Sequence, residues 1–342
     1  MQYGQIFSDT FRILWREKKL WVFGLIGLAL SSVLGMVGGA AGLNFQRQVI
    51  ETVNRELSRG RPGGEDEVLA MILGNFAIFG VLIGLVLLGA LVSYVINLAM
   101  RAGTVREAMR AWNGESVSIR RGSREGASSM LGFFGVDVLW AILPMLVVGG
   151  AYALTFVSIF SIAAADAQGG ASDTAAVGVI GSILLAICCL AIFALLYAAV
   201  YAIFAPMMYQ SLAQGRRSFG DALSEAWALG KAHWGTLIVF ALMVWGIGLV
   251  FSLVVQLITT PFSGLFMGDW MESIVTGMEG ANPVMPMPNY GIMIPLLMVT
   301  TILSYLTTSF LQSFRFTLYA KVYGELTAPE MPESAAVVEV VE

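Results

Sequence analysis

From Trp234 to Gly268 the chain carries no charged residue. That run exceeds the roughly 20 apolar residues a helical bilayer crossing needs. In hydrocarbon a helix satisfies its own backbone N–H and C=O groups, so a run of this kind folds as one. Leu20–Leu43, Leu69–Met100, Thr174–Met208 and Ile292–Phe314 are also free of charge, and Leu131–Ala165 holds one charged residue, Asp137. The expected fold class is therefore all-α integral membrane, with six transmembrane helices. Composition agrees: 12% of residues are charged and mean hydropathy is +0.78, against about 25% charged in soluble domains. The first run is too long for the roughly 7–15-residue apolar core of a signal peptide, so it reads as a retained crossing.

Just before the fifth run, Ser218–Trp234 has a different pattern. Phe219, Leu223, Ala226, Trp227, Gly230 and Trp234 recur on one helical face, with Asp221, Ser224, Glu225 and Lys231 on the others. Ser218 followed by Asp221 forms a capping-box-like start, and Lys231 suits the negative end of the helix. This segment is expected to lie in the membrane interface. Similar stretches precede the first and third crossings. Ser118, Ile119, Gly122, Glu125 and Gly126 align with Ser218, Phe219, Ala222, Glu225 and Ala226 at a constant offset of 100 residues. Phe7, Asp9, Trp15 and Lys19 align with Phe219, Asp221, Trp227 and Lys231. The expectation is three repeats of an interfacial amphipathic helix plus two transmembrane helices, at about 1–100, 101–213 and 214–325. Residues 326–342, with two prolines and four glutamates, are expected to be a disordered acidic tail.

Between the crossings, Phe45, Val49, Val53 and Leu57 suggest a separate short helix, ended by Arg61-Pro62-Gly63-Gly64. Pro261 is expected to finish the fifth crossing. Gly38-x-x-x-Gly42 and Gly80-x-x-x-Gly84 are candidate sites of close helix packing. Six crossings place 15 Lys and Arg on the side of both termini and 4 on the other. The positive-inside rule then makes both termini cytoplasmic, in an inner (cell) membrane, with all three amphipathic segments on that face. Trp15, Trp21, Phe219, Trp227 and Trp234 are the expected interfacial anchors. The clustered cations suit membrane lipid with anionic headgroups.

The pattern F-x-D-x(5)-W is clear at Phe7 and Phe219 and degraded at Ile119. Together with the sixth-helix ending Thr317-Leu318-Tyr319-Ala320-Lys321-Val322-Tyr323, it resembles a broad set of poorly characterised bacterial six-helix membrane proteins. That set includes the membrane domain found beside glycerophosphoryl diester phosphodiesterases. The resemblance covers about residues 1–325. The phosphodiesterase catalytic domain needs paired histidines and acidic metal ligands, which this chain lacks, so the resemblance implies no catalytic residues here.

Neither H-E-x-x-H, C-x-x-C nor G-x-x-x-x-G-K-[ST] occurs. His233 is the sole histidine and reads as a boundary residue beside Trp234. The adjacent Cys188-Cys189 pair points in two directions on a helix and reads as small buried hydrophobes rather than a disulfide. Met271, Met278, Met285 and Met287 read as an apolar lid. No catalytic, cofactor or metal site is expected, and no nucleic acid. Asp137 is the sharpest polar signal, because a charge inside a membrane is costly and faces a cavity or a partner. Arg315, at matching depth on the sixth crossing, is its candidate partner. The expected function is that of a non-enzymatic multi-pass protein engaged in lipid organisation, membrane homeostasis or scaffolding of a protein partner the sequence does not name. The alternative is a transporter or channel with a path near Asp137.

Overall fold

The computed structural model describes residues 2–58, 65–167, 173–214, 218–279 and 290–328. These fold as two short helices, α1 (Tyr3–Arg16) and α6 (Phe219–Ala232), and six long ones. The long helices are α2 (Lys19–Ser58), α3 (Glu65–Trp112), α4 (Ile119–Ala167), α5 (Asp173–Ala213), α7 (Trp234–Glu279) and α8 (Tyr290–Thr327). No strand occurs among the described residues. All six long helices are long and apolar enough to cross a membrane, and the protein is a multi-pass membrane protein of all-α class. Apolar residues such as Val81, Leu85, Leu88 and Leu91 on α3 are more than half exposed. In water that would be a large apolar patch; on a crossing helix it is the lipid-facing side.

Several local expectations are corrected. The polar stretch after Leu43 is not a separate helix. α2 continues unbroken to Ser58, since Asn44–Ser58 contains neither Gly nor Pro and Arg47 pairs with Glu51 one turn on at 2.7 Å. Pro261 lies inside α7, which runs on to Glu279. Proline is tolerated in crossing helices because neighbouring groups and local adjustments satisfy the freed carbonyl. The amphipathic segment before the third crossing is not a helix of its own but the first turns of α4. Cys188 and Cys189 are free and exposed rather than buried. A Cβ on Gly38, Gly42, Gly80 or Gly84 would meet nothing within 4 Å among the described residues, so these glycines mark no close packing there. The turn Arg61–Gly64, Met285, Met287 and residues 329–342 of the expected tail lie outside the described residues, as do the side chains of Met271 and Met278.

The chain forms two compact units. The first unit comprises residues 1–9, 128–243 and 316–342. Its core is the end of α8 set against α5 and α6. Thr317, Leu318, Tyr319, Val322 and Tyr323 are buried. Tyr319 donates to the Ala202 carbonyl of α5 at 3.0 Å, and Tyr323, one turn on, donates to Glu225 of α6 at 2.9 Å. Gln210 Nε2 donates to the Phe316 carbonyl at 3.1 Å.

The second unit comprises residues 10–127 and 244–315. Here α8 docks on α2 through backbone carbonyls. Ser313 donates to Leu20 O at 2.9 Å and Tyr305 to Leu25 O at 2.6 Å. A Cβ on Gly24 would sit 2.6 Å from Ser309 O, so only glycine permits that approach. α3 and α4 are closer still. A Cβ on Gly126 would lie 2.1 Å from Ala99 O, and one on Gly122 would strike the buried Phe23 ring at 2.5 Å. The close-packing glycine pair in the described structure is thus Gly122-x-x-x-Gly126.

Candidate functional site

In the first unit, α6 is built as its sequence predicts at its start. Ser218 Oγ accepts from Asp221 N at 3.2 Å while Asp221 Oδ2 accepts from Ser218 N, closing a capping box. Its buried face, however, is Ala222, Ala226 and Gly230. The bulky residues lie to the side. Phe219 is 36% exposed and packs at Gly135 of α4, where a Cβ would lie 3.1 Å from the ring. Trp227 is 52% exposed, stacks on Phe204 at 5.2 Å and carries Lys231 Nζ 5.1 Å from its ring centroid. Trp234 is also exposed. Glu225 departs from expectation: it is not a simple solvent-facing charge but accepts hydrogen bonds from Ser211 and Tyr323.

Asp137 lies in this unit and accepts a hydrogen bond from the Tyr209 hydroxyl. Tyr209 is buried, stacked on Phe133 at 4.8 Å and edge-on to Phe316 at 5.8 Å. Arg315 belongs to the second unit, and its pairing with Asp137 stays a proposal.

In the second unit the remaining anchors meet. Trp15 and Trp21 are edge to face at 5.8 Å, Trp21 is edge to face with Phe310 at 5.1 Å, and Lys18 Nζ lies 5.9 Å from the Trp15 ring centroid. These rings border an open cleft of about 470 Å³ that Leu25, Phe251 and Leu306 also line.

The expected basic collar is only partly available to lipid. Glu107 is fully buried among the Arg101–Arg124 cations, beyond the apolar run that ends at Met100. It accepts from Arg121 Nε at 2.8 Å, Arg110 at 2.6 Å and Ser118 N at 2.8 Å. Glu125 takes both oxygens to Arg110 at 2.9 Å and lies 3.7 Å from Arg106. Burial pushes the Glu107 carboxyl up. The hydrogen bonds from Arg121, Ser118 and Arg110 outweigh it and hold the carboxyl below its ordinary range. Arg110 and Arg121 are correspondingly raised, chiefly by their hydrogen bonds to Glu125 and Glu107. Arg120 and Arg124 stay exposed and line a polar groove of about 530 Å³ with Ser118, Arg121 and Glu125. A count of cations missed this cluster. The available signal was the three acids Glu107, Glu115 and Glu125 set among six arginines.

Residues 106–260 match a family described as a protein of unknown function (DUF4013). The stretch takes in the Glu107 cluster, Asp137 and the whole of α4, α5 and α6. No curated protein and no solved structure matches the chain. The resemblance expected over residues 1–325 is thus narrowed to a likeness to an uncharacterised family over residues 106–260, with nothing tying it to the phosphodiesterase-associated membrane domain. Among the described residues no group of three or more His, Cys, Asp or Glu could hold a metal ion.

Proposed function

We propose that this is a non-enzymatic inner-membrane protein that organises lipid at its cytoplasmic face, both termini lying on that side. The observation that carries the reading is a repeated aromatic–cation pair on a short helix or at its end. Trp15 with Lys18, and Trp227 with Lys231, place a largely exposed indole beside an ammonium group. An indole prefers the headgroup level and a lysine beside it favours an anionic headgroup. The groove holding Arg120 and Arg124 adds positive charge available to the same partners. Single-tryptophan variants retaining Trp15 or Trp227, reconstituted in vesicles with bromines placed at different acyl depths, test this. Shallow bromines should quench both tryptophans most, and more so in anionic than in zwitterionic lipid. Equal quenching at every depth and charge rejects the reading.

The rival, transport along a path near Asp137, loses support from the Tyr209 hydrogen bond, which gives the carboxylate a structural partner. Asp137 lines neither cavity described above. The shared depth of the two residues in the sequence makes Arg315 the candidate second partner. Asp137→Asn and Arg315→Gln should each cost about 3–5 kcal/mol if they strand a buried partner, and the double variant should recover part of the loss. Strictly additive shifts in detergent melting sink the pairing and return Asp137 to the transport reading.

A further inference from the structure

The aromatic cleft of the second unit contains polar groups that the protein leaves without use. Trp21 Nε1 and Ser309 Oγ are both buried and have no hydrogen-bond partner among the described residues; Ser309 is 1% exposed. Both residues line the cleft, whose other walls include Phe11, Leu25, Phe251 and Phe310. A buried donor without an acceptor is costly. Water is a poor remedy in so apolar a space, because a buried water needs two to four polar partners. A single acceptor at the head of an apolar chain satisfies the donors and the walls together.

The rim supplies the next element. Lys18 lies over Trp15, and Arg16, 3.7 Å from the Glu17 carboxylate, keeps its side chain 58% exposed. The α8 wall of the cleft runs from Leu306 to Phe310, roughly 6 Å of helix inside the charge-free Ile292–Phe314 run, so the slot lies in the apolar part of that crossing. Cation, N–H donor and apolar slot follow one another in the order phosphate, ester carbonyl and acyl chain. The volume is within the range of small-molecule sites.

We propose that this cleft holds one acyl chain of an anionic glycerophospholipid, with Trp21 Nε1–H donating to an ester carbonyl and Lys18 facing the phosphate. The proposal rests on the lipid-organising reading above and assigns it a specific site.

The test is native mass spectrometry of the delipidated full chain in detergent. The probes are dioleoyl phosphatidylglycerol, its diether analogue without ester carbonyls, dioleoyl phosphatidylcholine and glycerol 3-phosphate. One phosphatidylglycerol should bind tighter than all others. The diether analogue should bind about fivefold more weakly, the size of one neutral hydrogen bond, and Trp21→Phe should erase that difference. Leu306→Trp fills the cleft and should weaken the tight site at least tenfold. Ser309→Val, which alters the wall by little volume, serves if Leu306→Trp fails to fold, with melting as the check. Wild-type affinity in a folded cleft variant overturns the site, as does equal binding of ester and ether lipids. Tight glycerol 3-phosphate binding also overturns it, because the acyl chain would then be dispensable. Trp227→Ala with Lys231→Ala separates the two readings. Loss of weaker anionic lipids with the tight one kept is expected. A tight site that persists while wild type shows no anionic preference elsewhere sinks the broader reading alone.

Discussion

Ser118 and Ser218 stand 100 residues apart, each immediately before a helix, and each gives its backbone N–H to a carboxylate from a different place. At α6 the carboxylate is local: Asp221, at the third helical position, receives the Ser218 N–H at 3.2 Å. At α4 that position is Arg121, and the carboxylate comes from α3 instead, as Glu107 at 2.8 Å. Arg121 then pairs with Glu107. Met207, buried on α5, occupies the position equivalent to Glu107. Elsewhere the two regions agree. Gly122 and Gly126 are buried on α4, as Ala222 and Ala226 are on α6. Glu125 is held by Arg110 from the preceding long helix, and Glu225 by Ser211 from its own preceding helix. The difference shows that a helix start can be made autonomous or made to depend on its neighbour by moving one acid. Arginines in the first turn oppose the helix dipole, so the start of α4 requires α3 in place, whereas that of α6 does not.

The largest expected effect is at the glycines. Gly126→Ala drives a Cβ into Ala99 O and Gly103 N, both backbone. It should destabilise the protein by about 3 kcal/mol, the upper end for overpacking, read as a lower melting temperature in detergent. Ala226→Gly should lose only about 1 kcal/mol of helix propensity. Equal losses would mean that α3 and α4 are no closer than α5 and α6.

Next comes the displaced acid. Glu107→Gln should cost about 3 kcal/mol, the low end for stranding a buried charge, since Arg121 is more than a third exposed and partly screened. Replacing Glu107 with Met and Arg121 with Asp copies the α6 arrangement onto α4 and should recover part of that loss. No recovery would break the comparison. The Glu107 carboxyl is lowered in the folded protein, so its contribution is fully present above the ordinary glutamate value of about 4.3. It is lost as pH falls through the folded value. Wild type should therefore lose stability on acidification below about pH 4.3, and Glu107→Gln should lose less over the same window.

The smallest effect sharpens the local side. Ser218→Ala should cost about 1 kcal/mol, the ordinary value of an N-cap. Ser118→Ala should cost less, because its Oγ lies 3.4 Å from Arg121 N and Glu107 already holds the Ser118 N–H. The reverse order in thermal melts would place the essential cap at α4 in its serine.

What the residues determined by themselves was whatever depends on near neighbours in the chain. Five charge-free runs and one interrupted only by Asp137 give six helices able to cross a membrane, and a serine three residues before an aspartate gives the α6 cap. These follow from transfer energy, capping and helical period, which act within one or two turns. Which small residues meet another helix was decided only by tertiary structure. Gly122 and Gly126 are crowded and Gly38, Gly42, Gly80 and Gly84 are not, though all share one spacing. The same holds for the arginines: Arg110 and Arg121 are spent on Glu107 while Arg120 and Arg124 remain exposed. It holds as well for Trp21 and Ser309, 288 residues apart in sequence, which share one cleft. Composition sets how much apolar surface and charge each helix carries. The approach of one backbone to another sets which of those groups find a partner, and that distance is written in no single segment.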